Sequence, residues 1–258
     1  MELRSSNPTL NERTFSQTVG YGQGEVMTMQ GAVNKTLVLL FLVVVAAACV
    51  WNIVGQAVSG NAQVSNSAAG LVLPFMIGGA IGGFVVALVT VFKKSWAPVT
   101  APIYAVCEGL VLGALSALFE RTYPGIVVQA VSLTFGTLFC LLLLYKTGLI
   151  KPSENFKMGV FAATGAIALV YFASWILSFF HRSIPMIQGS GWFGIGFSLF
   201  VVVIAALNLI LDFDFIEEGS KHGVPKYMEW YSAFGLLVTL VWLYMEILRL
   251  LSKLRDRK

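Results

Sequence analysis

Beyond a polar stretch over residues 1–34, the chain alternates between long apolar runs and short polar breaks. The runs fall at 36–58, 70–92, 98–118, 126–146, 158–180, 191–213 and 230–251. Each is about 20 residues long, the length a helix rising ~1.5 Å per residue needs to cross a hydrocarbon core of ~30 Å. No segment alternates as a barrel strand would, and lipid offers no water to open backbone groups, so helices are the expected solution. The breaks are mostly short, which makes consecutive helices antiparallel neighbours. The pattern therefore predicts an all-α integral membrane protein, with a single seven-helix domain over 35–258. Residues 1–34 read as a flexible polar leader, without the early apolar core of a signal peptide.

Composition agrees. The chain is 57% hydrophobic and only 12% charged, where a soluble domain carries about a quarter of its residues as charges. The net charge is +4, from 17 Lys+Arg against 13 Asp+Glu. The basic residues sit in short breaks and in the C-terminal tail, so the expected partner is the bilayer and its anionic headgroups rather than nucleic acid. With the N-terminus inside, Arg4, Arg13, Lys35, Lys93, Lys94, Lys146, Lys151, Lys157, Lys221 and Lys226 share one side, against Arg121 and Arg182 on the other. That bias favours a cytoplasmic N-terminus. The tail residues Arg249, Lys253, Arg255, Arg257 and Lys258 run against it if all seven helices cross. Cys49, Cys107 and Cys140 lie inside apolar runs without paired spacing and read as small hydrophobes. Two overlapping GxxxG pairs, Gly78–Gly82 and Gly79–Gly83, together with Gly109 and Gly113, predict close helix packing.

An ionisable residue at membrane depth costs roughly 2.5–3.5 kcal/mol on insertion scales, so each one needs a reason. Three qualify: Glu108 in the third run, Asp212 closing the sixth and Glu246 late in the seventh. No lysine or arginine sits well inside a run beside them. Desolvation disfavours a carboxylate's charged form, so such groups suit proton sensing or cation passage. Each also has a structural reading. Glu108 can be an acid bonded to a neighbouring helix, Asp212 an interfacial helix-end charge, and Glu246 a partner of Arg249 at i+3. Asp214, Glu217 and Glu218 extend the acidic run past Asp212, either as a pore mouth that concentrates cations or as a solvated helix end.

Enzyme chemistry is not expected. His181 and His222 lack a metal-ligand pattern, and the chain has no HExxH, Gly-x-Ser-x-Gly or phosphate-loop motif. Asp212-Phe213-Asp214 as a lone DxD is a weak signal. A retinal protein is excluded because residues 230–251 contain no lysine for a Schiff base.

Seven apolar runs, Glu108-Gly109, Asp212-Phe213, Leu243-Tyr244-Met245-Glu246 and the leader stretch Ser5-Ser6-Asn7-Pro8 through Asn11 together resemble the Bax inhibitor-1 family. The likeness, over nearly the whole chain, is to its bacterial members. It implies six helices around a central seventh, and a pH-sensitive calcium leak gated by two membrane-embedded carboxylates sharing a proton. Eukaryotic members are linked to suppression of cell death. Carried over, the sensor pair is Asp212 and Glu246, which would also be the oxygen ligands met by permeating Ca²⁺; no resident cofactor is implied. The family's pair uses Asp where Glu246 stands, and its basic latch on the second helix is Arg where Lys93 or Lys94 stands. Lysine cannot make the bidentate clamp that arginine makes. The two acids can meet only if the sixth helix runs on past Glu217 and the seventh begins deeper, near Gly235. A bacterial inner membrane is the expected location. The rival functions are a proton-coupled transporter using the same acids, and an interaction protein that regulates a protease or another membrane complex.

Overall fold

A computed structural model describes residues 25–59, 65–180 and 189–257. Within them lie seven helices long and apolar enough to cross a membrane. They are α1 Met29–Ser59, α2 Ser65–Phe92, α3 Ala97–Thr122, α4 Ile126–Lys146, α5 Glu154–Phe179, α6 Trp192–Lys221 and α7 Met228–Arg255. Each apolar run is recovered, with ends extended by polar turns that hydropathy does not register. α1 begins at Met29, inside the stretch read as leader, because the Thr28 hydroxyl caps it by accepting from the Gly31 amide at 2.9 Å. Residues 1–24, with Arg4 and Arg13, lie outside the described residues, as do His181 and Arg182. Ser153 caps α5 in the same way through the Phe156 amide at 3.3 Å. Gly125, at φ 81°, makes the left-handed turn from α3 into α4.

The chain divides into two compact units. The N-terminal unit holds 19–124 and 219–237, so it takes the first part of α7. In it α3 receives both α1 and α2 through glycine. A Cβ on Gly109 would stand 2.6 Å from the Ala46 Cβ, and one on Gly113 2.5 Å from the Ala47 carbonyl oxygen. On α2 a Cβ at Gly79 would meet the Val111 side chain at 2.7 Å, whereas Gly78 meets nothing within 4 Å. Of the two GxxxG pairs, Gly79–Gly83 is thus the one buried against α3. Val50, Val54, Val72 and Ala114 fill the adjoining core.

The C-terminal unit holds 125–218 and 238–258. Its core is Ile167, Val201 and Ile204, covered by Tyr171, Phe197 and Trp242. Polar groups are built into this core: the Asn208 amide donates to Thr164 Oγ1 and to the Ile204 carbonyl, each at 2.8 Å. Among the spans α7 has the largest buried share, 61%, against 11% for α5.

Candidate functional site

Glu246 stands in the last third of α7 and is 2% exposed. The Tyr171 hydroxyl of α5 lies 3.0 Å from both of its oxygens and donates to the carboxylate. Arg249 is one turn further along α7. Its Nη1 donates to Glu246 at 2.8 and 3.0 Å and to the Tyr171 oxygen at 2.7 Å. The guanidinium carbon also sits 5.1 Å from the centre of the Tyr171 ring. A carboxylate, a phenol and a guanidinium thus close a three-membered clasp, and Glu246 has its cation at i+3. One turn beyond, Lys253 is buried and donates to the Gly194 carbonyl at 3.1 Å and to Ser198 Oγ at 2.9 Å.

Asp212 is wholly buried on α6, in the same unit. The Lys253 contacts show that α6 and α7 run antiparallel, with the end of α7 beside the start of α6. The hydrogen bonds of Glu246 go to Tyr171 and Arg249, so the expected proton-sharing contact between Asp212 and Glu246 does not form. The reason is local. α6 does run past Glu217, to Lys221, but α7 starts at Met228 and not near Gly235. The early start leaves Glu246 far from the connecting turn.

The acids after Asp212 are engaged. Asp214 pairs with Lys157 at 2.7 Å, and Lys157 also reaches Glu154 at 3.1 Å. The Tyr145 hydroxyl donates to Glu217 at 2.5 Å and lies 3.4 Å from Asp214. Glu218 is half-buried. Lys157, which the charge bias counted among loop residues, is a buried residue in the first turn of α5.

In the N-terminal unit Glu108 is half-buried and accepts from the Tyr104 hydroxyl one turn earlier. Tyr104 itself packs edge-on against Phe234 at 4.8 Å. Lys93 is exposed with its ammonium 4.6 Å from the Trp96 ring centre, and Lys94 is half-buried 6.0 Å from that of Tyr231. Glu229, in the first turn of α7, is 1% exposed. It accepts from the Thr28 amide at 3.0 Å and hydroxyl at 2.9 Å, and pairs with Lys35 at 3.2 Å. Beside it the Met27 amide donates to the Val224 carbonyl at 2.7 Å, and Lys226 pairs with Glu25. The hydrogen bond that Lys226 donates to the Glu25 carboxylate raises the pKa of this exposed lysine.

Glu229 and Tyr171 were not singled out in the sequence. Glu229 stands one residue outside an apolar run, where an acid reads as a solvated helix start. Tyr171 lies on another helix, and nothing local in the sequence marks it as the partner of Glu246. Among the described residues, no three His, Cys, Asp or Glu side chains converge closely enough to hold a metal ion. The model of a protein family described as Bax inhibitor 1 like matches residues 7–256. No curated protein and no solved structure matches the chain.

Proposed function

The chain belongs to the Bax inhibitor 1 like family, and from that premise we propose that it is a pH-sensitive, calcium-permeable leak channel of the bacterial inner membrane. The observation that carries the proposal is the clasp of Glu246, Arg249 and Tyr171 at membrane depth. A protonated Glu246 no longer offers Arg249 a full negative charge, so the guanidinium loses its main reason to stay folded against α5. Protons then bind the open form better than the closed one, and only such differential affinity can move the equilibrium. Asp212 acts as a separate carboxylate centre on α6, one that the permeating ion meets in series with Glu246. Calcium favours clustered oxygen ligands, and a passing ion needs them only transiently. The choice of calcium over other cations rests on the family resemblance. The Lys/Arg bias favours an N-terminus in the cytoplasm.

The experiment is calcium flux from dye-loaded proteoliposomes over a pH series, with wild type, Glu246→Gln and Asp212→Asn side by side. The proposal expects a wild-type leak that rises on acidification. Glu246→Gln should leak at all pH values, because its side chain is permanently neutral, and Asp212→Asn should pass less calcium at every pH. Wild-type flux no greater than that of empty liposomes would remove the channel reading and leave that of a membrane-complex regulator.

A further inference from the structure

Arg249 uses only part of its fork. Its guanidinium hydrogen bonds among the described residues all run through Nη1, and its side chain is 39% exposed. Among the described residues Nε and Nη2 meet no acceptor, and their donors have the planar geometry that suits a phosphate. The same end of the C-terminal unit carries a second arginine, because the Asp256–Ser190 and Lys253–Ser198 contacts bring the end of α7 beside the start of α6. Arg257 lies over the Trp192 ring, 3.4 Å from its centre. Aromatic side chains at the same ends of α5 and α6 are exposed. Trp192 and Phe193 at the start of α6 are 74% and 77% exposed, and Trp175 and Phe179 at the end of α5 are 58% and 65%. Rings of this kind settle at the headgroup level of a bilayer, with arginines reaching up past them. Among the described residues of the C-terminal unit, the acids at this end are Glu246, held in the clasp, and Asp256, bonded to Ser190; the bases are Arg249, buried Lys253, Arg255 and Arg257. The balance is positive.

We propose that Arg249 and Arg257, with the aromatic collar of Trp175, Phe179, Trp192 and Phe193, form a binding site for the phosphate headgroup of an anionic phospholipid. Arg249 then stands between two anions, the lipid phosphate outside and Glu246 inside. A bound headgroup weakens the hold of Glu246 on the guanidinium and biases the clasp toward release. That regulatory effect rests on the leak-channel reading; the lipid site does not.

The test measures binding alone, so its failure is distinct from that of the channel. Full-length protein in phosphatidylcholine nanodiscs is titrated with short-chain phosphatidylglycerol, short-chain phosphatidylcholine and inorganic phosphate. Wild type should prefer phosphatidylglycerol over phosphatidylcholine. Arg257→Gln should weaken phosphatidylglycerol about fivefold, the share of one basic residue at an anionic surface, and leave phosphatidylcholine unchanged. Arg249→Lys, which keeps the charge but loses the fork, should weaken it in the same direction. Equal affinity for the two lipids overturns the proposal, as does phosphatidylglycerol binding untouched by Arg257→Gln. Inorganic phosphate binding as tightly as phosphatidylglycerol overturns the lipid assignment in favour of a soluble anion. If Arg249→Lys fails to fold, the exposed Arg257→Gln and the wild-type preference still decide the matter.

Discussion

α7 carries two buried glutamates, and the two units of the protein treat them differently. In the N-terminal unit Glu229 receives a backbone amide, a hydroxyl and a lysine, all from the start of α1. It caps that helix and complements the positive end of its dipole. A Cβ on Gly31 would collide with its carboxylate, so even the neighbouring backbone is shaped around it. In the C-terminal unit Glu246 is as deeply buried, yet every donor it has is the tip of a side chain. A backbone donor such as the Thr28 amide leaves only if the chain entering α1 moves, whereas a guanidinium and a phenol need only change rotamer. Burial alone thus does not distinguish a structural carboxylate from a switchable one; the kind of donor does.

The largest effect is expected at Glu229. Glu229→Ala strips the start of α1 of its acceptor and leaves Lys35 unpaired, and should cost about 2–4 kcal/mol, as for a buried hydrogen-bonded ion pair losing one member. Thermal unfolding in detergent reads this, and the pH response of any surviving flux should be unchanged. Next comes the glycine packing of the same unit. Gly113→Ala puts a methyl 2.5 Å from the Ala47 carbonyl and should destabilise by about 1–3 kcal/mol. Gly136→Ala on α4, which meets nothing within 4 Å, should be neutral or slightly stabilising by the same melt. Tyr171→Phe sharpens the other side of the comparison. It removes one donor to Glu246 and one acceptor from Arg249, which should cost about 1–2 kcal/mol, and it should shift the pH at which flux changes while wild-type packing is kept.

The smallest effect is at the surface. The pKa of Lys226 is raised by Glu25, so the contact contributes at neutral pH and is lost only as pH climbs through the raised value, above the ordinary lysine range. Lys226 is exposed and screened by salt, so Lys226→Gln should leave the melting temperature unchanged at physiological ionic strength.

The helices were legible in the sequence because a membrane span is a local property. All seven runs are recovered, and Gly79, Gly109 and Gly113 were marked by spacing alone. What the sequence left hidden is register between helices. Asp212 and Glu246 were expected to touch, whereas the hydrogen bonds of Glu246 go to Tyr171 and Arg249. The Glu246–Arg249 pair was visible at i+3, but Tyr171, which makes it a clasp, stands on α5 with no sequence signal. Lys157 shows the same limit: hydropathy sees a charge in a break, while its burial comes from Asp214 on α6. The tail arginines that oppose the charge bias are likewise bound, Arg255 to Gln129 and Arg257 over Trp192. Charges held by protein are weaker guides to topology than free ones.

The claim that Glu246 is the switch is tested most directly by following its proton. Infrared difference spectra of the reconstituted protein, recorded over the same pH series as calcium flux, report the carbonyl band of a protonated carboxyl group. The account predicts a band that grows as flux rises, over the same pH range, and that is missing from Glu246→Gln. A flux that changes with pH while this band stays constant, or a band that persists in Glu246→Gln, would contradict it.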